Sequence, residues 1–159
     1  MTSVKDIIII VILLFIVGVS LTLIVDAGHR INAKLITVPT FNTTDTLSVI
    51  NHADAAINST DYIYLALFIG LFLSIIITGW FVGGLPIAAP IYFFVVVIFT
   101  FVSVILQQVW NDMMLNSNIL SASLSLPITS FILSHLGLFT AIFGLVGILL
   151  MFAKPQGVQ

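Results

Sequence analysis

Residues 62–153 contain one formally charged side chain, that of Asp112, and one histidine, His135. A soluble domain needs many charged groups at its surface, and about a quarter of the residues in ordinary globular proteins are charged. In this chain charged residues make up only 6% and hydrophobic residues 60%. We therefore predict an all-α integral membrane protein, because helices satisfy their own backbone hydrogen bonds in lipid.

Four segments are long and apolar enough to cross the hydrocarbon layer, which takes about 20 helical residues. They cover residues 7–25, 62–82, 87–108 and 127–152. The first segment is longer than the apolar region of a secretory signal peptide, and no small-residue cleavage site follows it. We therefore expect it to be retained, and we expect the chain to form a single membrane domain with four transmembrane helices.

Helix-breaking and aromatic residues mark the ends of these predicted spans. Residues 83–86 (Gly-Gly-Leu-Pro) separate the second span from the third. Pro127 opens the fourth span, where its missing N–H is tolerated. Tyr62 and Tyr64 lie at one end of the second span and Trp80 at the other, which is typical of aromatic residues at a membrane interface.

Two polar segments, residues 26–61 and 109–126, connect the spans. The first would be a 36-residue polar loop between the first and second spans, longer than a simple connector. Within it we expect an extended stretch at residues 35–39. A short amphipathic helix would then start near Thr44 and lie on the membrane surface, on a partner or on the bundle itself. The second polar segment predicts an interfacial helix or a docking loop.

An even number of spans places both termini on the same side of the membrane. Lys5 and Lys154 flank the termini, while Arg30 and Lys34 lie in the first polar segment. The positive charges are therefore equal on the two sides, and the positive-inside rule does not decide the orientation. Both polar segments are rich in Asn, Thr and Ser, which favours an external or lumenal position for them and hence cytoplasmic termini.

Small side chains line one face of the second span and one face of the fourth. Such faces let helix backbones approach closely, which is a main source of helix association in lipid. The second span has them at strict four-residue spacing, whereas the fourth alternates between three and four. The members are Ala66, Gly70, Ser74 and Thr78 in the second span and Ser130, Ser134, Gly137, Ala141 and Gly144 in the fourth.

The third span carries a bulky run at residues 93–98 instead, which we expect to face lipid or to fill a groove of another helix. Two faces of small residues on one short chain predict one of two arrangements. Either both close a compact bundle, or one makes a contact within the chain and the other a contact with another subunit. We favour the second arrangement.

His135 is the only ionisable side chain inside a predicted span. It is a candidate functional residue, because an ionisable group within a membrane is energetically unfavourable and is retained for a reason. It lies about 12 Å along the fourth helix and points away from the face of small residues. This position favours a structural or interfacial role over a proton-relay or ligand role. We expect Asp112 to be a solvated charge near the interface.

The sequence lacks the residues that several classes of chemistry require. The chain has no cysteine, which excludes disulfides, iron–sulfur clusters and thiolate zinc sites. His29 and His52 share the polar loop with aspartates but without a diagnostic metal-binding spacing. No phosphate-binding loop, dinucleotide fingerprint or nucleophile–base motif occurs, and four Lys and Arg residues form no basic patch. We predict no enzymatic activity, no metal, no cofactor and no nucleic-acid partner.

These features lead to three hypotheses of function. The first is a structural or accessory membrane subunit of a larger assembly, bound to the lipid bilayer and to membrane or capsid-like subunits or further copies of itself. A virion with an internal membrane is the favoured setting, and a secretion or energy-transducing complex is the alternative. The second is an oligomeric pore former of the holin or small-channel type. The third is a proton-coupled component that uses His135.

Overall fold

The computed structural model describes residues 4–39, 44–82 and 88–153, and all regular structure in these ranges is helical. The prediction of an all-helical chain is confirmed. Three helices are long and apolar enough to cross a membrane, and a fourth span is added if Ser117–Leu124 and Pro127–Ser134, which are bent by 117° relative to each other, count as one. The helices are α1 (Val4–Thr37), α2 (Thr44–Val82), α3 (Ala88–Met113), α4 (Ser117–Leu124), α5 (Pro127–Ser134) and α6 (Leu136–Ala153).

The first two helices are much longer than the predicted spans. α1 has 34 residues and α2 has 39, which corresponds to lengths of about 51 and 58 Å. The expected polar loop is therefore helical over most of its length. The extended stretch predicted at residues 35–39 is wrong, because α1 continues to Thr37. The separate short helix predicted near Thr44 is also wrong, because α2 runs from Thr44 into the second span without a break.

Local chemistry explains why these helices continue into the polar segment. Asp26 and Arg30, one helical turn apart, form an ion pair of 3.0 Å, an arrangement that stabilises helices. Pro39 then ends α1, since the residue before a proline disfavours helical geometry. Asp45 lies in the first turn of α2, where a negative charge interacts favourably with the helix dipole.

The polar halves of α1 and α2 pack against each other as an antiparallel pair. Asn32 Nδ2 donates a hydrogen bond of 2.6 Å to Asp54 Oδ1. About one turn nearer the apolar part of α1, a Cβ at Gly28 would lie 2.8 Å from Ile57 Cδ1. The two helices therefore approach closely at this point, and a side chain at position 28 would have to displace the end of the Ile57 side chain.

The fourth predicted span starts and ends close to the expected positions but is not one helix. It breaks at His135, whose backbone has φ −124° and ψ 21°, into α5 and α6. At the other end of α5, a bend of 117° separates it from α4. Lys154 and the glycine-proline segment at residues 83–86 lie outside the described residues.

Contacts between side chains establish how the helices run. α3 and α6 are antiparallel, with Val104 facing Gly137 and Val96 facing Gly144. α6 also packs along α2 through four aromatic rings. These rings are Phe68, Phe72, Phe139 and Phe143, with neighbouring centroids 4.1 to 6.0 Å apart. The main core forms where α1, α2, α3, α5 and α6 meet, and its buried members are Val11, Leu14, Phe15, Tyr64, Phe99, Trp110, Ile132, Leu133 and Leu136.

Candidate functional site

The start of α5 is capped by a carboxylate from a different helix. Its N-cap residue, Leu126, offers no side-chain hydrogen bond, and Pro127 has no N–H. The free N–H groups of Ile128 and Thr129 instead donate to Asp61 at 2.9 and 2.7 Å, and the Thr129 hydroxyl donates to it at 2.7 Å. Asp61 lies on α2 and is only 3% exposed. Its charge also interacts favourably with the positive end of the α5 dipole.

The end of α5 is capped by its own histidine. The last carbonyls of a helix lack partners within the helix, and the Phe131 carbonyl accepts a hydrogen bond of 2.9 Å from His135 Nδ1. Since a carbonyl can only accept, Nδ1 carries a proton in this contact. The imidazole also lies against the Phe131 ring, with centroids 4.6 Å apart, and is exposed at the surface of the chain.

Replacing His135 with alanine should lower the free energy of unfolding by about 1 kcal/mol, the usual net contribution of one hydrogen bond. His135→Asn should retain most of the stability, because its amide N–H can reach the same carbonyl. Unfolding by sodium dodecyl sulfate in mixed micelles measures both. A His135→Ala protein with unchanged stability that abolishes activity of its parent complex would instead assign the residue to a proton-relay or ligand role.

Side chains from α3 hold both sides of the break between α5 and α6. Gly137, in the first turn of α6, donates its N–H to Gln107 Oε1 at 3.0 Å. On the other side of the break, the Ser134 hydroxyl accepts a hydrogen bond of 3.2 Å from the fully buried Trp110 indole. At the break, α3 therefore satisfies one backbone N–H, that of Gly137, and binds the adjacent Ser134 side chain.

The face of small residues predicted on the fourth span packs mainly against α3. Gly137 and Gly144 are buried. A Cβ at Gly137 would lie 2.6 Å from a Val104 methyl group, and one at Gly144 would overlap with Val96. Val96 belongs to the bulky run at residues 93–98 of α3, so one side of that run packs into the space that Gly144 leaves on α6. The remaining small residues of the face, Ser130, Ser134 and Ala141, are half-buried.

On the face of small residues of α2, the side chains that the structure describes are not covered by any other described helix. Ala66, Gly70 and Ser74 are exposed, and a Cβ at Gly70 would meet nothing within 4 Å. The Thr78 side chain lies outside the described part of the structure. Gly70 and Ser74 also line an open and largely apolar groove of about 430 Å³ between α1 and α2. The two faces therefore differ: one is filled by α3 and the other is open.

Sequence reasoning missed the capping role of Asp61 and placed Tyr64 wrongly. Tyr64 is not at the lipid interface, because it is fully buried and its hydroxyl donates to the Leu14 carbonyl at 3.3 Å. Tyr62, by contrast, is 68% exposed. A signal for Asp61 did exist: a helix that starts with Leu126 and Pro127 has no cap of its own and needs an acceptor from elsewhere.

The remaining polar candidates are dispersed. Asp112 is exposed in the last turn of α3, and His52 Nδ1 lies 2.7 Å from the Ser48 carbonyl of its own helix. Among the residues that the structure describes, no three His, Cys, Asp or Glu side chains are grouped so that they could hold a metal ion.

The fold defines a class, a helical protein with three to four segments that can span a membrane. No protein-family model, curated protein or solved structure matches this chain.

Proposed function

We propose that this protein is a non-enzymatic structural or accessory subunit of a larger membrane assembly. The observation that carries this proposal is the open face of small residues on α2 (Ala66, Gly70 and Ser74), which we name the α2 docking face. Helices associate in lipid by close backbone packing rather than by burial of apolar surface from water. Within the chain, α3 packs against the face of small residues on α6. The α2 docking face is left available to a transmembrane helix of another subunit.

We propose a topology of four crossings to accompany this function. α1, α2 and α3 each cross once, and α5 and α6 together make the fourth crossing. In this arrangement the two termini share one side, cytoplasmic by the loop composition, and the polar halves of α1 and α2 project from the other side as a helical hairpin. Glycosylation or protease mapping of that hairpin in intact membranes tests the orientation.

The use of the polar side chains supports an architectural role. Within the described residues, no buried side-chain nitrogen or oxygen lacks a hydrogen-bond partner. Asp61, Gln107 and Trp110 each bind a group on α5 or α6. These polar residues therefore hold the helices of the bundle in place through the hydrogen bonds that they make.

The pore hypothesis is less well supported by the same contacts, because it needs free hydroxyls around a lumen. Ser134 is bound to Trp110, and Thr140 is buried and donates to the Leu136 and Gly137 carbonyls at 3.0 and 2.9 Å. Among the described residues of these two faces, the hydroxyls of Ser74 and Ser130 remain, and two hydroxyls on different helices do not make a polar lining. A reconstituted bilayer that conducts ions at moderate protein density would nevertheless favour a pore over a structural subunit.

The proposed docking is tested by a bulky substitution on the α2 docking face. Ser74→Leu should reduce the amount of partner subunit recovered with the protein about tenfold, equivalent to about 1.4 kcal/mol of lost association free energy. The measurement is gentle purification from native membranes followed by quantitative mass spectrometry. The partner recovered from the unmodified chain, whether a capsid, secretion or redox subunit or a second copy, identifies the setting.

Ser20→Leu provides a matched control, since Ser20 is likewise exposed but lies on α1. It should leave the recovered partner unchanged. Equal losses for both variants would place the contact elsewhere, and an unmodified protein purified alone and monodisperse would contradict a role in a larger assembly.

A further inference from the structure

The short helix α4 has three distinct sides. Its buried side, with Ala122 and Ser123, packs on α1 next to Val25. Ile119 is half-buried next to this side. The remaining helix surface is exposed, and its two edges differ in chemistry. One edge carries Leu120 and Leu124, which are 45% and 75% exposed. At 100° per residue, these leucines lie about 110° around the helix from Asn118 and Ser121, which form the other edge.

The other edge of α4 is polar and equally open. Asn118 and Ser121 are both exposed there, so the helix has an apolar edge and a polar edge on either side of its solvent-accessible surface. The helix also has no charged residue, and between Asp112 and Lys154 the chain has none at all. A helix with this division is suited to lie at the boundary between lipid and water.

The position of α4 places it at that boundary. If α5 crosses the membrane, the 117° bend between the two helices leaves α4 roughly parallel to the membrane plane. Its buried side contacts Val25, which directly precedes Asp26, the first charge after the apolar part of α1. Its C-terminal end leads directly into the α5 start that Asp61 caps. α4 therefore lies at the depth where charged residues begin on both α1 and α2.

We propose that α4 is an interfacial helix whose Leu120–Leu124 edge inserts into the acyl-chain region of one leaflet while its Asn118–Ser121 edge faces water. The occupant of this apolar edge is membrane lipid. Leu115, in the turn before α4, is a further apolar side chain that is 85% exposed. The leaflet thereby holds the helix that leads into α5 and fixes the depth of the Asp61 cap. This surface is independent of the α2 docking face.

The absence of cysteine makes the proposal directly testable. Single cysteines introduced in the full chain carry nitroxide labels, and the purified protein is reconstituted into phosphatidylcholine vesicles. Collision rates with oxygen, which concentrates in lipid, and with a neutral nickel chelate, which stays in water, are then compared. The labelled positions are 118, 120, 121 and 124, with Asn51→Cys as the expected water-facing reference and Leu138→Cys as the expected lipid-facing reference, both at exposed positions.

The logarithm of the oxygen-to-nickel collision ratio should be positive at positions 120 and 124, as at 138. It should change sign at positions 118 and 121 and agree with position 51. Nickel access at 120 and 124 equal to that at 118 and 121 would overturn the proposal, because the leucine edge would then face water. Low collision rates with both reagents at 120 and 124 would also overturn it, since protein and not lipid would cover that edge.

These outcomes are distinguishable from the outcome of the docking experiment. The vesicles contain this chain and lipid only, so the loss of a partner subunit cannot change the collision ratios. Failure of Ser74→Leu to release a partner would in turn leave the lipid contact of α4 unaffected.

Discussion

Replacement of Asp61 by alanine should lower the free energy of unfolding by about 3 kcal/mol, because three donors at the start of α5 lose their common acceptor. Removal of one member of a buried hydrogen-bonded group leaves the other members unsatisfied, and each costs about 1–3 kcal/mol. The N-cap residue itself cannot replace the carboxylate, since the Leu126 side chain has no hydrogen-bond acceptor. The expected loss is therefore larger than that for an ordinary helix cap, about 1 kcal/mol.

Unfolding by sodium dodecyl sulfate in mixed micelles, followed by helical circular dichroism, measures this loss. Amide hydrogen exchange gives a second and more local readout. Ile128 and Thr129 should exchange much faster in Asp61→Ala, because their N–H groups no longer have a partner. Amides in the middle of α3 should change only as far as the global stability does.

Two further variants sharpen the result. Asp61→Asn keeps one acceptor oxygen and should lose about half as much stability, since the amide nitrogen cannot accept from Ile128 or Thr129. Asp112→Ala removes an exposed carboxylate near the C-terminal end of α3, where a negative charge is slightly unfavourable. It should be neutral or weakly stabilising. If Asp61→Ala has the same stability as Asp112→Ala, the cap that Asp61 provides for α5 contributes nothing to stability.

The class of the protein could be predicted because it depends on a property of the whole chain. A run from residue 62 to residue 153 with a single charge allows few solutions other than helices in lipid. The small residues of the fourth span were also visible as a pattern. Gly137 and Gly144 recur on one side of a helix, and a helix with glycines there can accept Val104 and Val96 from a neighbour.

The capping network was not predictable because its partners are far apart in the sequence. Asp61 lies 67 residues from Ile128, and no local pattern joins a charge at the start of one span to an uncapped helix start in another. The length of α2 was missed for a related reason. Polar composition at residues 44–61 favours a loop with a separate helix, but the segment contains no Gly or Pro that would break a helix. Asp54 and Ile57 also contact α1.

Gly144→Ala and Gly70→Ala should have opposite effects on the isolated protein. A Cβ at position 144 would overlap with the Val96 side chain of α3, whereas a Cβ at position 70 would have no neighbour within 4 Å. Overpacking of a tight interface costs about 1–3 kcal/mol, and we expect about 2 kcal/mol for Gly144→Ala. Gly70→Ala should be neutral or stabilising by up to about 1 kcal/mol, since alanine is the better helix former.

A compensating substitution tests whether contact with Val96 causes the destabilisation expected for Gly144→Ala. Val96→Ala removes the methyl groups that the new Cβ would meet, so the double variant Val96→Ala/Gly144→Ala should recover at least half of the stability lost by Gly144→Ala alone. In a double-mutant cycle this appears as a favourable coupling energy of about 1 kcal/mol or more. Additive losses would mean that α3 and α6 do not meet at this point. Gly70→Ala is then tested in the assembly. If this variant is stable alone but less partner subunit is recovered with it, Gly70 lies in the contact between subunits.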